Sequence, residues 1–239
     1  MNNYRKYFHS VLIICMVSTV VLTTAAAFAQ ESSLNADQNK ELLQRYSTEW
    51  WQWSLGLPTS VNPLAFKEEK QSADYCGVGQ HGNVWFLGGT LDGTPAKRTC
   101  TIPADTSLFF PVINAECSAI EGSGKNEIEL RACAKDLINH VIVKKLAVSV
   151  DGRSLKDIAN TRVQSSLFNF TLPPGDILNL FGKNPNPSPA VSDGYWVLLS
   201  PLSPGKHTIK WHGDAKFDDG STFAQDVTYS VTIVPVKGQ

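Results

Sequence analysis

The chain has 239 residues, with 21 Lys or Arg against 22 Asp or Glu and a formal charge of −1. This near balance argues against nucleic acid or an anionic membrane surface as partner, because both are bound chiefly through clustered Lys and Arg. The length and the 42% hydrophobic content suffice for one domain burying roughly 70% of its unfolded surface.

Taken from the start, Arg5 and Lys6 precede an apolar run from Val11 to Leu22 and small residues ending in Ala27-Phe28-Ala29. These are the parts of a secretory signal peptide, with cleavage expected after Ala29. The run is shorter than the roughly 20 apolar residues a spanning helix needs. We therefore expect residues 1–29 to be a signal peptide and 30–239 a single disulfide-stapled β-sandwich domain with an N-terminal helix. Such a chain is secreted or periplasmic, and has no membrane contact once cleaved.

Cys15 leaves with the leader, so Cys76, Cys100, Cys117 and Cys133 remain. An even number in an exported chain implies two disulfides. Of the three possible connectivities, local closure favours Cys76–Cys100 with Cys117–Cys133. Zinc is the rival use of four cysteines, but there is no C-x-x-C pair and the spacings are long.

From Asn35 to Leu55 the spacing is helical, with Leu42, Leu43, Tyr46, Trp50 and Trp53 recurring at three and four. Asn35 can cap this helix, Asp37 suits its first turn, and Gly56 followed by Pro58 stops it. Trp50, Trp51 and Trp53 crowd its last turn. Either the helix lies across a sheet with all three partly buried, or one of them, Trp51, faces another element or a ligand. Residues 57–75 lack periodicity and read as a loop.

Between Cys76 and Cys117 lie two of the most apolar runs, Val84-Trp85-Phe86-Leu87 and Leu108 to Ile113, joined by a Gly-rich, Pro-containing connection. Both read as strands covered on both faces, as central strands are. A second helix is expected from Asn126 to about His140, with Ile128, Leu130, Ala134 and Leu137 as its apolar stripe. Leu146, Val148 and Val150 then alternate into an Asp151-Gly152 hairpin turn. Leu167 to Leu172 is another strand, and the Pro-rich residues 182–193 an exposed loop.

Tyr195 to Leu199, His207 to His212 and Phe223 to Val234 read as consecutive antiparallel strands. The fold class is thus mainly β (α+β), an antiparallel β-sandwich or jelly roll with two helices packed on it. YWVLLSPLSPGKHTIKW looks like the closing hairpin of immunoglobulin-like modules, a likeness of fold only.

The phrases GQHGNVWFLGG, RTCTIP, LFFPVINAE, GYWVLL and PGKHTI resemble those of a group of exported bacterial proteins of uncharacterised function. The resemblance spans most of the chain after the leader and implies export and a shared fold. It brings no activity, for no site residues are there to carry over.

As candidate ligand-binding residues we single out Gln80, His81, Trp85, Arg98, Asn114 and Glu116, mostly polar groups at the ends of apolar strands. If the two central strands are antiparallel neighbours, Gln80 and His81 approach Asn114 and Glu116. Glu116, with His81, is then the candidate general base. The structural alternative is that Asn114 and Glu116 serve backbone groups or pair with Arg98. His207 and His212, five apart, fall on opposite faces of a strand and do not suit one metal. Asp214, Asp218 and Asp219 could hold calcium, though their spacing misses the EF-hand and equally suits a solvated turn.

No G-x-S-x-G, H-E-x-x-H or phosphate-cradling glycine loop is present, and no cofactor is implied. Three functions stay open. The first is a secreted binding module for carbohydrate or a cell-envelope polymer. The second is a glycosidase-like hydrolase using Glu116 with Glu49 or Asp74. The third is a structural or inhibitor-type envelope protein.

Overall fold

A computed structural model describes residues 38–235 of the chain. The expected signal peptide, Asn35 and Asp37 lie outside the described residues. By its contacts the chain divides into a unit of residues 1–42 and a unit of residues 43–239, and the second holds both sheets.

The described residues form three α-helices and ten strands in two five-stranded sheets. The helices are α1 (38–55), α2 (Glu69–Tyr75) and α3 (Glu127–Asn139). The first sheet runs in the order β1 (Val84–Phe86), β3 (Ser107–Ser118), β8 (Ser188–Leu199) and β6 (Arg162–Gln164), with β7 (Phe168–Phe170) also on β8. The second runs β2 (Ala96–Pro103), β10 (Thr222–Val234), β9 (Gly205–Lys216), β4 (Ala147–Val150) and β5 (Arg153–Ser154).

The burial of each strand follows its composition. β3 is apolar at successive positions and its residues Leu108 to Ile113 are buried on both faces, whereas β9 and β10 alternate and keep one face wet. Between the sheets, Phe110 stacks on Trp211 with ring centroids 4.6 Å apart, and Trp211 on Tyr229 at 5.6 Å. On the opposite face of the first sheet, Trp196 stacks on Phe109 at 5.2 Å and meets Trp50 of α1 edge-on at 5.6 Å. Each such side chain, taken fully out of water, contributes roughly 1.5–3 kcal/mol before its entropy cost.

Several expectations hold. The cystines are Cys76–Cys100 and Cys117–Cys133, with Cα separations of 5.6 and 6.1 Å. α3 begins at the Asn126 cap, whose side chain accepts from the Glu129 N–H. Asp151 and Gly152, at φ 51° and 77°, make the two-residue turn joining β4 to β5.

Others need correction. β1 pairs with β3 in parallel, with Val84 opposite Ser107, and is an edge strand rather than a central one. The Gly-rich connection between them is not all irregular, for it contains β2, which pairs in parallel with β10 in the other sheet. The sheets are therefore of mixed direction. β8 and β9 are not a hairpin: β8 lies between β3 and β6 while β9 lies between β10 and β4, so Ser200 to Pro204 crosses from sheet to sheet. The loop reading of 182–193 fails from Ser188, where β8 begins: Ser188, Pro189 and Ala190 stand opposite Phe170, Asn169 and Phe168 of β7. α2 interrupts the loop of 57–75, its Ser72 hydroxyl accepting from the Thr99 N–H of β2. Finally, Ile128 is 81% exposed, and the buried stripe of α3 is Leu130, Ala134 and Ile138.

Candidate functional site

Trp50, Trp51 and Trp53 are all buried, yet their indole N–H groups fare differently. Trp50 Nε1 donates to the Leu87 carbonyl and Trp53 Nε1 to that of Val78, each at 2.9 Å. Trp51 Nε1 is buried with no protein partner. A buried N–H left unmatched costs about 1–3 kcal/mol, and Trp51 shares this state with the indoles of Trp85, Trp196 and Trp211.

Trp51 lines a cavity of about 260 Å³ alongside the middle of β3. On that strand Asn114 and Glu116, two apart, share a face and both line the same cavity. Asn114 Nδ2 and Glu116 Oε1 are likewise buried without a protein partner. β8 comes close behind them: a Cβ on Gly194, the register partner of Asn114, would sit 2.6 Å from Asn114 Cβ, so only glycine fits there.

The rest of the wall is apolar or already satisfied. Leu137 and Ile138 come from α3, and Phe217 and Phe223 flank the β9–β10 turn. Gln225 clasps Thr90, accepting its N–H at 3.0 Å and donating to its carbonyl at 2.5 Å. An apolar cavity with a few convergent polar groups is the general form of a small-ligand site.

Glu116 is held well above the usual carboxylate range, first by burial and then by the neighbouring Glu121 charge. The Ser118 hydroxyl donates to Glu121 Oε2 at 2.7 Å.

The other expected site residues lie elsewhere. Because β1 and β3 run parallel, Gln80 and His81 sit near the start of β3, away from Asn114 and Glu116. The Gln80 amide clasps the Phe86 backbone, donating to its carbonyl at 2.8 Å and accepting its N–H at 2.9 Å. His81 is exposed and lines a separate hollow of about 250 Å³ with Glu49, Gln52 and Trp53. Trp85 packs against the core from the sheet edge.

Arg98 does not pair with Glu116. Its buried guanidinium donates to the carbonyls of Phe66, Gly88, Leu64 and Gly89. Glu49 pairs with Arg45 at 3.5 Å and Asp74 is exposed on α2, so neither joins Glu116.

The three loop aspartates do not converge. Asp214 meets Lys145 and His212, Asp218 is open to solvent, and Asp219 accepts the Ser221 N–H. Among the described residues no cluster of three or more His, Cys, Asp or Glu is placed to hold a metal.

A larger depression, about 440 Å³, crosses the outer face of the second sheet over Lys97, Thr228, Lys210 and Ser149. These residues stand side by side across β2, β10, β9 and β4, where water reaches them. The depression is the wet face of a sheet.

Sequence reasoning placed Asn114 and Glu116 together and singled out Trp51 separately, but it did not join Trp51 to them and missed Glu121, Phe217, Phe223 and Gln225. Glu121 lies in a turn after the strand, and Phe217 and Phe223 carry only a core signature. No family model, curated protein or solved structure matches this chain.

Proposed function

We propose that the protein is an exported binding module that captures carbohydrate or another cell-envelope polymer through the cavity beside β3. One observation carries this reading: Trp51, Asn114 and Glu116, three residues that each carry an unmatched buried polar atom, line a single largely apolar cavity. A bound polar group would supply the missing partners. Export is supported by the apolar leader, by two cystines, by the resemblance to exported bacterial proteins, and by the lack, among the described residues, of a helix able to cross a membrane. We read the fold as a two-layer sandwich of mixed strand direction, since the inner faces of both sheets share one core.

The glycosidase alternative fits less well. A glycosidase needs a second carboxyl roughly 5–9.5 Å from the first, whereas neither Glu49 nor Asp74 lines the cavity that holds Glu116.

The test is a binding screen of the oxidised protein, without its leader, against peptidoglycan and polysaccharides, with turnover followed in the same samples. Saturable binding without turnover is expected. Trp51→Phe should weaken it at least tenfold, about 1.4 kcal/mol, with the melting temperature nearly kept. Turnover of a bound polymer would replace this reading with the hydrolase.

A further inference from the structure

We infer that the cavity recognises a secondary amide, the acetamido group of an N-acetylated sugar, with Trp51 and Asn114 donating to its carbonyl and Glu116 accepting its N–H. The inference rests on the binding-module reading and narrows its ligand class.

Three unmet groups set what a ligand must bring. The residues that line the cavity carry two N–H donors, Trp51 Nε1 and Asn114 Nδ2, and one carboxyl oxygen, Glu116 Oε1, all buried and none of them partnered within the protein. A carboxylate ligand would satisfy the donors but bring a negative charge against the Glu116–Glu121 pair. An ammonium would suit the carboxyls but point hydrogens at hydrogens. A lone hydroxyl, with one donor and two lone pairs, matches the three polar groups but brings no apolar part for the rest of the wall. A secondary amide has two carbonyl lone pairs, one N–H and, in the acetamido group, a methyl.

The methyl has its place as well, since Leu137, Phe217 and Phe223 make the rest of the wall apolar. A volume of about 260 Å³ holds an acetamido group and part of the ring that carries it. Discrimination comes from the same groups. A sugar lacking the acetyl would leave both donors unmatched, and sites built around buried polar groups reject such analogues most strongly.

Two measurements test this on the oxidised protein. In the first, N-methylacetamide is titrated into ¹⁵N-labelled protein, and the six tryptophan indole N–H signals are followed, with Trp51 assigned through Trp51→Phe. The Trp51 signal should shift saturably, and the shift should disappear in Asn114→Leu, provided that variant keeps the wild-type pattern of the other five indoles. Should Asn114→Leu not fold, Trp51→Phe probed at the Asn114 side-chain amide serves instead.

In the second, calorimetry compares N-acetylglucosamine oligomers with their de-N-acetylated counterparts and with glucose oligomers. At least a tenfold preference for the acetylated series is expected. Saccharide binding indifferent to the acetyl group overturns the amide assignment while leaving the binding module intact. A Trp51 shift with N-methylacetamide but no saccharide binding upholds the amide site and removes the saccharide reading. Silence in both experiments refutes both, and leaves water as the partner of these atoms.

Discussion

Cys133 of α3 is bonded to Cys117 of β3, the residue directly after Glu116, so the staple and the candidate site share one strand end. α3 also supplies Leu137 and Ile138 to the cavity wall. The covalent link thereby fixes the distance between the wall and the carboxyl.

Replacing both cysteines, Cys117→Ala with Cys133→Ala, should lower stability by about 3 kcal/mol through the freed loop in the unfolded chain. Urea denaturation of the oxidised wild type and the double variant measures it. A change below about 1 kcal/mol would mean that α3 is held by other contacts, among them the Arg131 guanidinium on Gln164 at 2.8 Å.

Glu116 should give the protein a stability that declines with rising pH. Its folded value lies well above the ordinary 4.5, so between the two the native state keeps a proton that the unfolded chain has released. Stability then falls as pH rises through that window and levels off beyond the folded value. Glu116→Gln, neutral throughout, should flatten this slope and be at least as stable at neutral pH. Denaturation midpoints at several pH values decide it, and an unchanged slope would show that Glu116 titrates as an ordinary carboxyl.

Arg98 is a buried cation held by carbonyls instead of by a carboxylate, with its guanidinium carbon 5.7 Å from the Tyr229 ring centre. Arg98→Met keeps much of the volume but strands the four carbonyl acceptors, and we expect a loss of about 3 kcal/mol or more. Arg98→Lys should also cost stability, because an ammonium cannot reproduce the fork. Equilibrium unfolding of both variants gives the numbers. A loss under about 1 kcal/mol would imply that water takes over the carbonyls.

His207 and Asp151 form a pair at the surface, Nδ1 to Oδ2 at 2.7 Å, that raises the imidazole's pKa and lowers the carboxyl's. The stability His207 contributes is complete below its ordinary 6.5 and is lost as pH rises through the raised folded value. That of Asp151 is present above the ordinary 3.8 and lost as pH falls through the lowered one. In Asp151→Asn the His207 ring protons should titrate at lower pH in NMR spectra. An unmoved titration would place the cause in the Ser203 carbonyl, which meets Nε2 at 2.8 Å.

What the sequence made legible was local. The Asn126 cap, the Asp151-Gly152 turn and both cystines rest on short-range rules, and each is where those rules put it. Strand direction and strand partner were not legible. Nothing in Val84 to Leu87 or Leu108 to Ile113 encodes whether they run parallel, and that single choice moves Gln80 and His81 away from Glu116. Trp51 stands out in the sequence as the indole in excess, but its meeting with Asn114 and Glu116 depends on how α1 lies against β3, which periodicity does not specify.

The parallel seam between β2 and β10 has a consequence for how the chain is made. Among the described residues β2 is an edge strand whose one ladder neighbour is β10, the last of the described strands. While the chain is being synthesised, Cys100 and Ile102 on β2 therefore lack their ladder partner until residues 222–234 have been made. Distant pairings of this kind close late and slowly. The order of the strands thus delays completion of the second sheet until residues 222–234 have been made.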